Sequence, residues 1–253
     1  MRVVVLDKKL EGAFWSHVNR DPLDYYFFIF DWKLNRDKTK ILLAMEGENI
    51  EGLMLVYGDY VVQLRGNREA VRLLLDKLTL EKIELQAPLD CEDIILRKYT
   101  PKIREEMMLM HLRKGEENIQ ITTVPVMLEV EDAEEVAELM RKADPSWWGE
   151  VTAERIKQRV GDAFWLGIKQ DQKIVSVGMV RLTDFGSNIN VVATDERYRN
   201  RGYATSIVSA LVKEILKNSA TALIHVISDN APAVRAYTKA GFKPYKTYLS
   251  IRT

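Results

Sequence analysis

The stretch Val191-Val192-Ala193-Thr194-Asp195-Glu196-Arg197-Tyr198-Arg199-Asn200-Arg201-Gly202-Tyr203-Ala204-Thr205 decides how the rest of the chain is read. It opens as an apolar strand, crosses a charged loop with three arginines, and turns at one glycine into a helix. Ile207, Val208, Leu211, Val212, Ile215 and Leu216 recur at helical spacing, so one face of that helix is buried. A helix N-terminus presents free backbone N–H groups and a partial positive charge. With Gly202 and Ala204 keeping the approach clear, a diphosphate can lie on that backbone, and Arg199 and Arg201 can add charge-assisted contacts to its oxygens. The same residues also fit a strand, surface loop and helix of any α/β protein.

The spacing Arg199-x-x-Gly202-x-Ala204 resembles the acyl-CoA-binding signature of the GNAT acyltransferase family, Gln/Arg-x-x-Gly-x-Gly/Ala. A second stretch strengthens the resemblance. Strand-like Ala222–Ile227 leads into Asn230, Ala233 and Tyr237, then Gly241-Phe242, where the family reads Asn-x-x-Ala-x-x-x-Tyr followed by Gly-Phe. Pro232 fits the first turn of a helix there and Gly241 its C-terminal end. The Thr-Asp-Glu-Arg-Tyr-Arg form of the first motif looks most like the branch that includes glycine N-acyltransferases. The resemblance covers the chain from about residue 120 onward. It implies a GNAT fold of the α/β (α+β) class: a mixed central sheet, splayed at the CoA site and flanked by helices.

Composition bounds the rest. Of the 253 residues 47% are hydrophobic and 29% charged, enough for a core in one large or two small domains. The charges balance to a net of zero, so no global basic field suggests nucleic acid as a partner. Cys91 is the only cysteine, which excludes an intrachain disulfide and favours a reducing compartment. No stretch approaches the ~20 apolar residues of a membrane helix, and the first residues lack a signal-peptide run, so a cytoplasmic protein is expected. Only His17, His111 and His225 occur, and neither paired cysteines nor His-Glu-x-x-His is present, so no metal is expected. The phosphate-loop and dinucleotide-binding glycine patterns are missing as well.

Taken in order, residues 1–117 read as a first domain and 118–253 as the catalytic one, joined through the polar Lys114-Gly115-Glu116-Glu117-Asn118. The first half offers a helix over Leu10–Val18, a break at Asp21-Pro22, and the run Tyr25–Phe30, which periodicity leaves unassigned. Strands follow at Ile41–Met45, Ile50–Tyr57 and Tyr60–Leu64, then a helix opening at Asn67, a strand at Ile83–Leu85, an element at Ile94–Tyr99 and a last strand over 103–112. That order roughly repeats the later one, which suggests a degenerate second copy of the same fold. Its loop, Leu64 to Glu69, lacks the Arg-x-x-Gly-x-Ala spacing, so no CoA site is expected there. A lid or acceptor-binding role, structural support and a homodimer interface all remain open for this half. The two-domain layout, with Asp21-Pro22 and Trp32, also resembles the glycine N-acyltransferase-like proteins. The second half reads as a strand at Val126–Val130, a helix starting at Glu131-Asp132, a stop at Asp144–Gly149, a helix at Ala153–Val160, and a hairpin around Asp171-Gln172. Then come the two motif regions and a strand pair between Lys243 and Arg252.

The resemblance assigns the site. The strand Val192-Ala193-Thr194 pairs with pantetheine amides, and the diphosphate falls on Arg199, Asn200, Arg201, Gly202, Tyr203, Ala204 and Thr205. Asn230, Ala233 and Tyr237 complete the cofactor side, with acetyl-CoA as cosubstrate. Tyr237 is the candidate general acid, because a phenol of pKa about 10 stays protonated at neutral pH and can donate to a thiolate. His225 holds the place, relative to the Asn and Tyr, of a catalytic glutamate in the ribosomal-protein alanine acetyltransferases of the family, and imidazole suits amine deprotonation. Glu150, Asp184 or a water are the alternative bases. One of Trp147 and Trp148 is a candidate lining of the acceptor side, although both also fit as packed side chains. The expected reaction moves an acetyl group directly to a small amine or amino acid, with a protein N-terminus or lysine as the alternative acceptor. A non-catalytic acyl-CoA sensor is the rival reading.

Overall fold

Alternating apolar residues bounded by glycine or aspartate turns give strands, and 3.6-residue apolar stripes give helices; the chain uses both throughout. The computed structural model describes residues 1–253. The first half runs β1 (Arg2–Val5), α1 (Glu11–Val18), α2 (Tyr26–Leu34), β2 (Thr39–Glu46), β3 (Asn49–Tyr57), β4 (Val61–Gly66), α3 (Arg68–Leu75), β5 (Glu84–Pro88), α4 (Glu92–Lys98) and β6 (Ile103–Arg113). The second half runs β7 (Val126–Met127), α5 (Ala133–Ala143), α6 (Pro145–Trp148), α7 (Ala153–Val160), β8 (Phe164–Gln170), β9 (Lys173–Val180), β10 (Ser187–Thr194), α8 (Tyr203–Asn218), β11 (Thr221–Ile227), α9 (Ala231–Ala240) and β12 (Lys243–Arg252).

The chain forms two compact units. One comprises Met1–Met108, Ile227–Asp229 and Lys246–Thr253; the other comprises Leu109–Val226 and Asn230–Tyr245. One unit thus takes residues from both ends of the chain. The cause is the C-terminal strand. Its residues Tyr248–Arg252 pair antiparallel with Pro88–Glu84 of β5, and Leu249 and Ile251 enter the core formed with Leu64, Val71, Leu74 and Ile95. The strand pair expected between Lys243 and Arg252 is this one strand.

In the first unit the strand order is β1-β2-β3-β4-β5-β12, antiparallel except for the parallel pair β4 and β5. Met54 and Val56 pack with α3 on one face, and the intervening Leu53 and Leu55 are fully buried too, so the sheet is covered on both faces. The unassigned run at Tyr25–Phe30 is helical: α2 buries Tyr26, Phe28, Ile29 and Trp32, whose pairs 26/29, 29/32 and 28/32 have i+3 and i+4 spacings that a six-residue window is too short to display.

In the second unit the order is β6-β11-β10-β9-β8-β7, with β10 and β11 parallel and β7–β8, β8–β9 and β9–β10 antiparallel. Val177 and Met179 of β9 join the core under α5 and α7. Gly178, between them and so on the opposite face, lies under α8: a Cβ there would sit 2.3 Å from Ile207 and 2.9 Å from Leu211. The mixed sheet is thus flanked by helices on both sides. The first strand is only Val126–Met127, shorter than the expected Val126–Val130. Glu129 and Asp132 cap each other's backbone, and that reciprocal cap starts a helical turn at Val130.

Candidate functional site

The site begins where two parallel strands separate. Ser187, Asn188 and Ile189 of β10 pair with Ala222, Leu223 and Ile224 of β11, and the register ends there. On its other side β10 continues, with Val191 to Thr194 matched to Met179, Gly178, Val177 and Ser176 of β9. A register shift between Ile189 and Val191 makes Asn190 the extra residue of a bulge, which bends the strand at the parting point. Val192, Ala193 and Thr194 therefore have β9 on one edge and no ladder to β11 on the other. An edge of that kind offers N–H and C=O groups to an extended amide chain. Thr194 is fixed by its hydroxyl, 2.9 Å from Ser176 Oγ, and Ser176 Oγ lies 3.2 Å from the Ala193 carbonyl.

From Thr194 the chain makes a short turn held by Asp195, whose carboxylate accepts from the Arg197 backbone and pairs with its guanidinium at 2.9 Å. That pairing takes up the charge of Arg197. Arg199 donates to the Ala143 carbonyl at 3.0 Å, at the end of α5, and Arg201 lies over the Tyr198 ring. Both remain exposed. Asn200 and Gly202 have φ of 64° and 81°, the left-handed region, which turns the loop tightly into α8. Gly202 is the N-cap and carries no side chain to cap with, so the first N–H groups of α8 have no side-chain acceptor. In the first unit the helix after β4 does have a side-chain cap: Asn67 accepts from the Ala70 N–H at 2.9 Å.

The parting in the first unit is also filled. β4 and β5 pair only over Val61–Gln63, and beyond that point lies Arg65, which is 2% exposed. Its guanidinium meets the Asp24 carboxylate, the Leu64 carbonyl at 2.8 Å and Gln86 Oε1 at 2.6 Å, and stacks 3.9 Å from the Tyr248 ring. Asp24 also accepts from Tyr248 at 2.7 Å and from Lys246. Burial pushes the Asp24 carboxyl up, but Arg65 and the Lys246 and Tyr248 hydrogen bonds outweigh it and hold it below the usual carboxylate range. Tyr248 is pushed up by burial and by Asp24.

The second motif shapes α9. Asn230 is its N-cap and accepts from the Ala233 N–H at 3.2 Å; Gly241, with φ of 107°, ends it. A Cβ at Gly241 would lie 2.5 Å from the Glu116 carbonyl, so that position tolerates only glycine. The structure thus gives Asn230, Ala233 and Gly241 a local task, which is to set the helix that carries Tyr237. Tyr237 is 6% exposed with its ring edge-on to Phe242, and burial raises its pKa, so the phenol keeps its proton at neutral pH.

His225 directly follows Ile224, the last paired residue of β11, and so stands at the parting point. Its Nδ1 is 2.9 Å from Oδ1 of the buried Asn188. The other candidate bases, Glu150 and Asp184, are exposed, one beyond α6 and one in the loop before β10. Trp147 and Trp148 form the end of α6, capped by Asp144; both are half-buried, edge-on at 6.3 Å, and Trp148 packs on the α5 core.

Sequence reasoning missed three features. Asn188 is 3% exposed in β10, a burial that the mixed run Ser187-Asn188-Ile189-Asn190 does not announce. Ser206 and Ser209 are fully buried on α8 and accept from the backbone of Thr122 and Gln120 at 3.1 and 3.0 Å, so the segment that follows the expected linker is tied along the helix. The Asp24–Arg65 pair lies 41 residues apart and has no local signature. No group of three or more His, Cys, Asp or Glu side chains is gathered as a metal site would need. No helix is long and apolar enough to cross a membrane.

Comparison with known proteins adds a family match over part of the chain. Residues 133–242 match the acetyltransferase (GNAT) family model. No curated protein matches the chain. A Drosophila protein of solved structure is 13% identical, with a TM-score of 0.73 over 98% of each chain. An acetyltransferase of the GNAT family from Colwellia psychrerythraea is also 13% identical, with a TM-score of 0.59 over 100% of this chain and 99% of that one. A tandem GNAT protein of the clavulanic acid biosynthesis pathway is 13% identical, with a TM-score of 0.54 over 84% of this chain and 81% of that one. At these identities the likeness is one of fold.

Proposed function

We propose, from the premise that the chain carries a GNAT acetyltransferase domain over residues 133–242 and is an acyltransferase, that it moves an acetyl group from acetyl-CoA to a primary amine of a small molecule. The observation that carries this reading is the parting of β10 and β11 after Ile189 and Ile224, followed by an α8 N-terminus without a side-chain cap at Gly202. Pantetheine amides add to the free edge of Val192–Thr194. The diphosphate lies on the loop and first turn from Arg199 to Thr205, with Arg199 and Arg201 supplying charge.

Transfer is direct. The amine nitrogen attacks the thioester carbonyl carbon, and the C–N bond forms as the amine proton passes to His225. The tetrahedral oxyanion takes hydrogen bonds from backbone N–H groups of the β10 edge. The C–S bond then breaks, the thiolate leaves with the proton of Tyr237, and solvent returns a proton to the phenolate before the next turnover. Tyr237 is taken as the donor because its phenol is protonated at neutral pH, and the position of His225 at the parting point supports it over Glu150 and Asp184. No step needs a covalent enzyme intermediate.

The first unit, with the same run of antiparallel strands ending in a parallel pair that parts, fits a degenerate copy of the same fold whose opening Arg65 fills. That layout agrees with a glycine N-acyltransferase-like branch. A panel of small amines, amino acids and N-terminal and lysine peptides with acetyl-CoA, read by free thiol release, tests the function. Turnover with a small amine is the expected result. Acetyl-CoA binding without turnover on any acceptor favours an acyl-CoA-binding regulatory protein, and turnover on peptides alone moves the acceptor to protein.

A further inference from the structure

We propose that Asn188 is a positioning residue that fixes the tautomer of His225, a proposal that rests on reading His225 as the base. Asn188 precedes Ile189, the last paired residue of β10, and His225 follows Ile224, the last paired residue of β11. Their side chains meet across the two strands at the parting point, Oδ1 to Nδ1 at 2.9 Å.

The amide orientation follows from its other contact. Asn188 Nδ2 donates to the Ile189 carbonyl at 3.3 Å, which turns Oδ1 toward the imidazole. An amide oxygen only accepts, so Nδ1 of the neutral ring carries the hydrogen and the lone pair resides on Nε2. Small imidazoles in water favour the opposite tautomer, with the hydrogen on Nε2. Asn188 is 3% exposed, and a buried amide costs stability unless its hydrogen bonds are made. Both ends of this amide are used, one on the strand and one on the ring.

The choice of an amide over a carboxylate has a chemical consequence. A carboxylate at this place would stabilise the imidazolium and fill the base before the amine arrives. A neutral oxygen orients the ring without adding a charge that favours the imidazolium. When Nε2 takes the proton from the attacking amine, Nδ1 keeps its own, and the hydrogen bond to Asn188 strengthens as the ring becomes cationic. The proton on Nε2 passes to solvent after the thiol leaves.

Histidine 15N chemical shifts of the unliganded protein test this without an acceptor. Wild type is expected to show His225 with a protonated Nδ1 and an unprotonated Nε2, and Asn188→Ala to shift it toward the Nε2–H tautomer. With acetyl-CoA and the strongest acceptor of the amine panel, Asn188→Ala is expected to lower kcat about 10-fold or more, part of the ~10²–10⁴ a positioned base supplies, with KM for acetyl-CoA unchanged. The isosteric Asn188→Asp keeps the fold and is expected to raise the His225 pKa by about one unit or more, moving the acidic limb of the kcat profile upward with it. A wild-type His225 with its hydrogen on Nε2, or an Asn188→Ala enzyme with unchanged tautomer and kcat, overturns the proposal. Full activity in His225→Ala overturns the base assignment separately, whatever the tautomer.

Discussion

Asp24→Asn removes one charge from the most enclosed ion pair in the first unit and nearly nothing else. The volume is the same, and the new amide oxygen still accepts from Tyr248 and from Arg65. What remains is the Arg65 guanidinium, 2% exposed, held by the Leu64 carbonyl and Gln86 Oε1, which are neutral. Lys246 is 45% exposed and finds water, so the cost falls on Arg65. Breaking a buried pair from one side costs about 3–5 kcal/mol because the partner charge stays desolvated. Against the about 5–15 kcal/mol that holds a domain folded, that is about a fifth or more of the total. Urea unfolding of wild type, Asp24→Asn, Arg65→Met and the double variant reads the effect. The double variant is expected to lose less than the two singles added, because it leaves no orphan charge. The pH dependence carries a sign. The carboxyl of Asp24 is depressed in the folded protein, so its stabilisation is fully present above the ordinary unfolded value, about 3.9, and is lost as pH falls through the folded value. The gap between wild type and Asp24→Asn should therefore hold from pH 7 down to about 4 and close below that. A loss under about 1 kcal/mol, or strictly additive singles, would refute the view of Arg65 as a charge that depends on Asp24.

Other consequences follow from the same geometry. Tyr237→Phe is expected to lower kcat by about 10²-fold or more while the calorimetric affinity for acetyl-CoA stays as in wild type. Gly202→Ala puts a Cβ at φ 81° and 3.3 Å from Thr122 Oγ1; a loss of about 1–2 kcal/mol in urea unfolding and weaker acetyl-CoA binding should accompany it. Gly178→Val drives a side chain into Ile207 and Leu211, and chemical denaturation should show at least the ~1–3 kcal/mol of an overpacked core.

Much of the second unit was legible because its signals are local. The apolar stripe of α8, the glycine at its start, the caps of α9 and the Asp171-Gln172 turn each lie within a few residues of the structure they cause, and both turn residues have positive φ. The features that escaped depend on residues distant in sequence. β12 joins β5 across some 160 positions, and nothing in Lys243–Arg252 says which strand it will meet. The Asp24–Arg65 pair and the Asn188–His225 bond look locally like four unremarkable polar residues. α2 hid for a different reason: an aromatic run that is apolar on every side shows no period in a short window. His225 was legible only as a position relative to Asn230 and Tyr237; that it stands where the strands part required the register.

The most direct test is a crystal structure of the protein soaked with acetyl-CoA. Density for pantetheine along the free edge of Val192–Thr194, with the diphosphate on the N–H groups that follow Gly202, is the predicted result. Cofactor bound away from β10 and α8, or none at saturating acetyl-CoA, would contradict it.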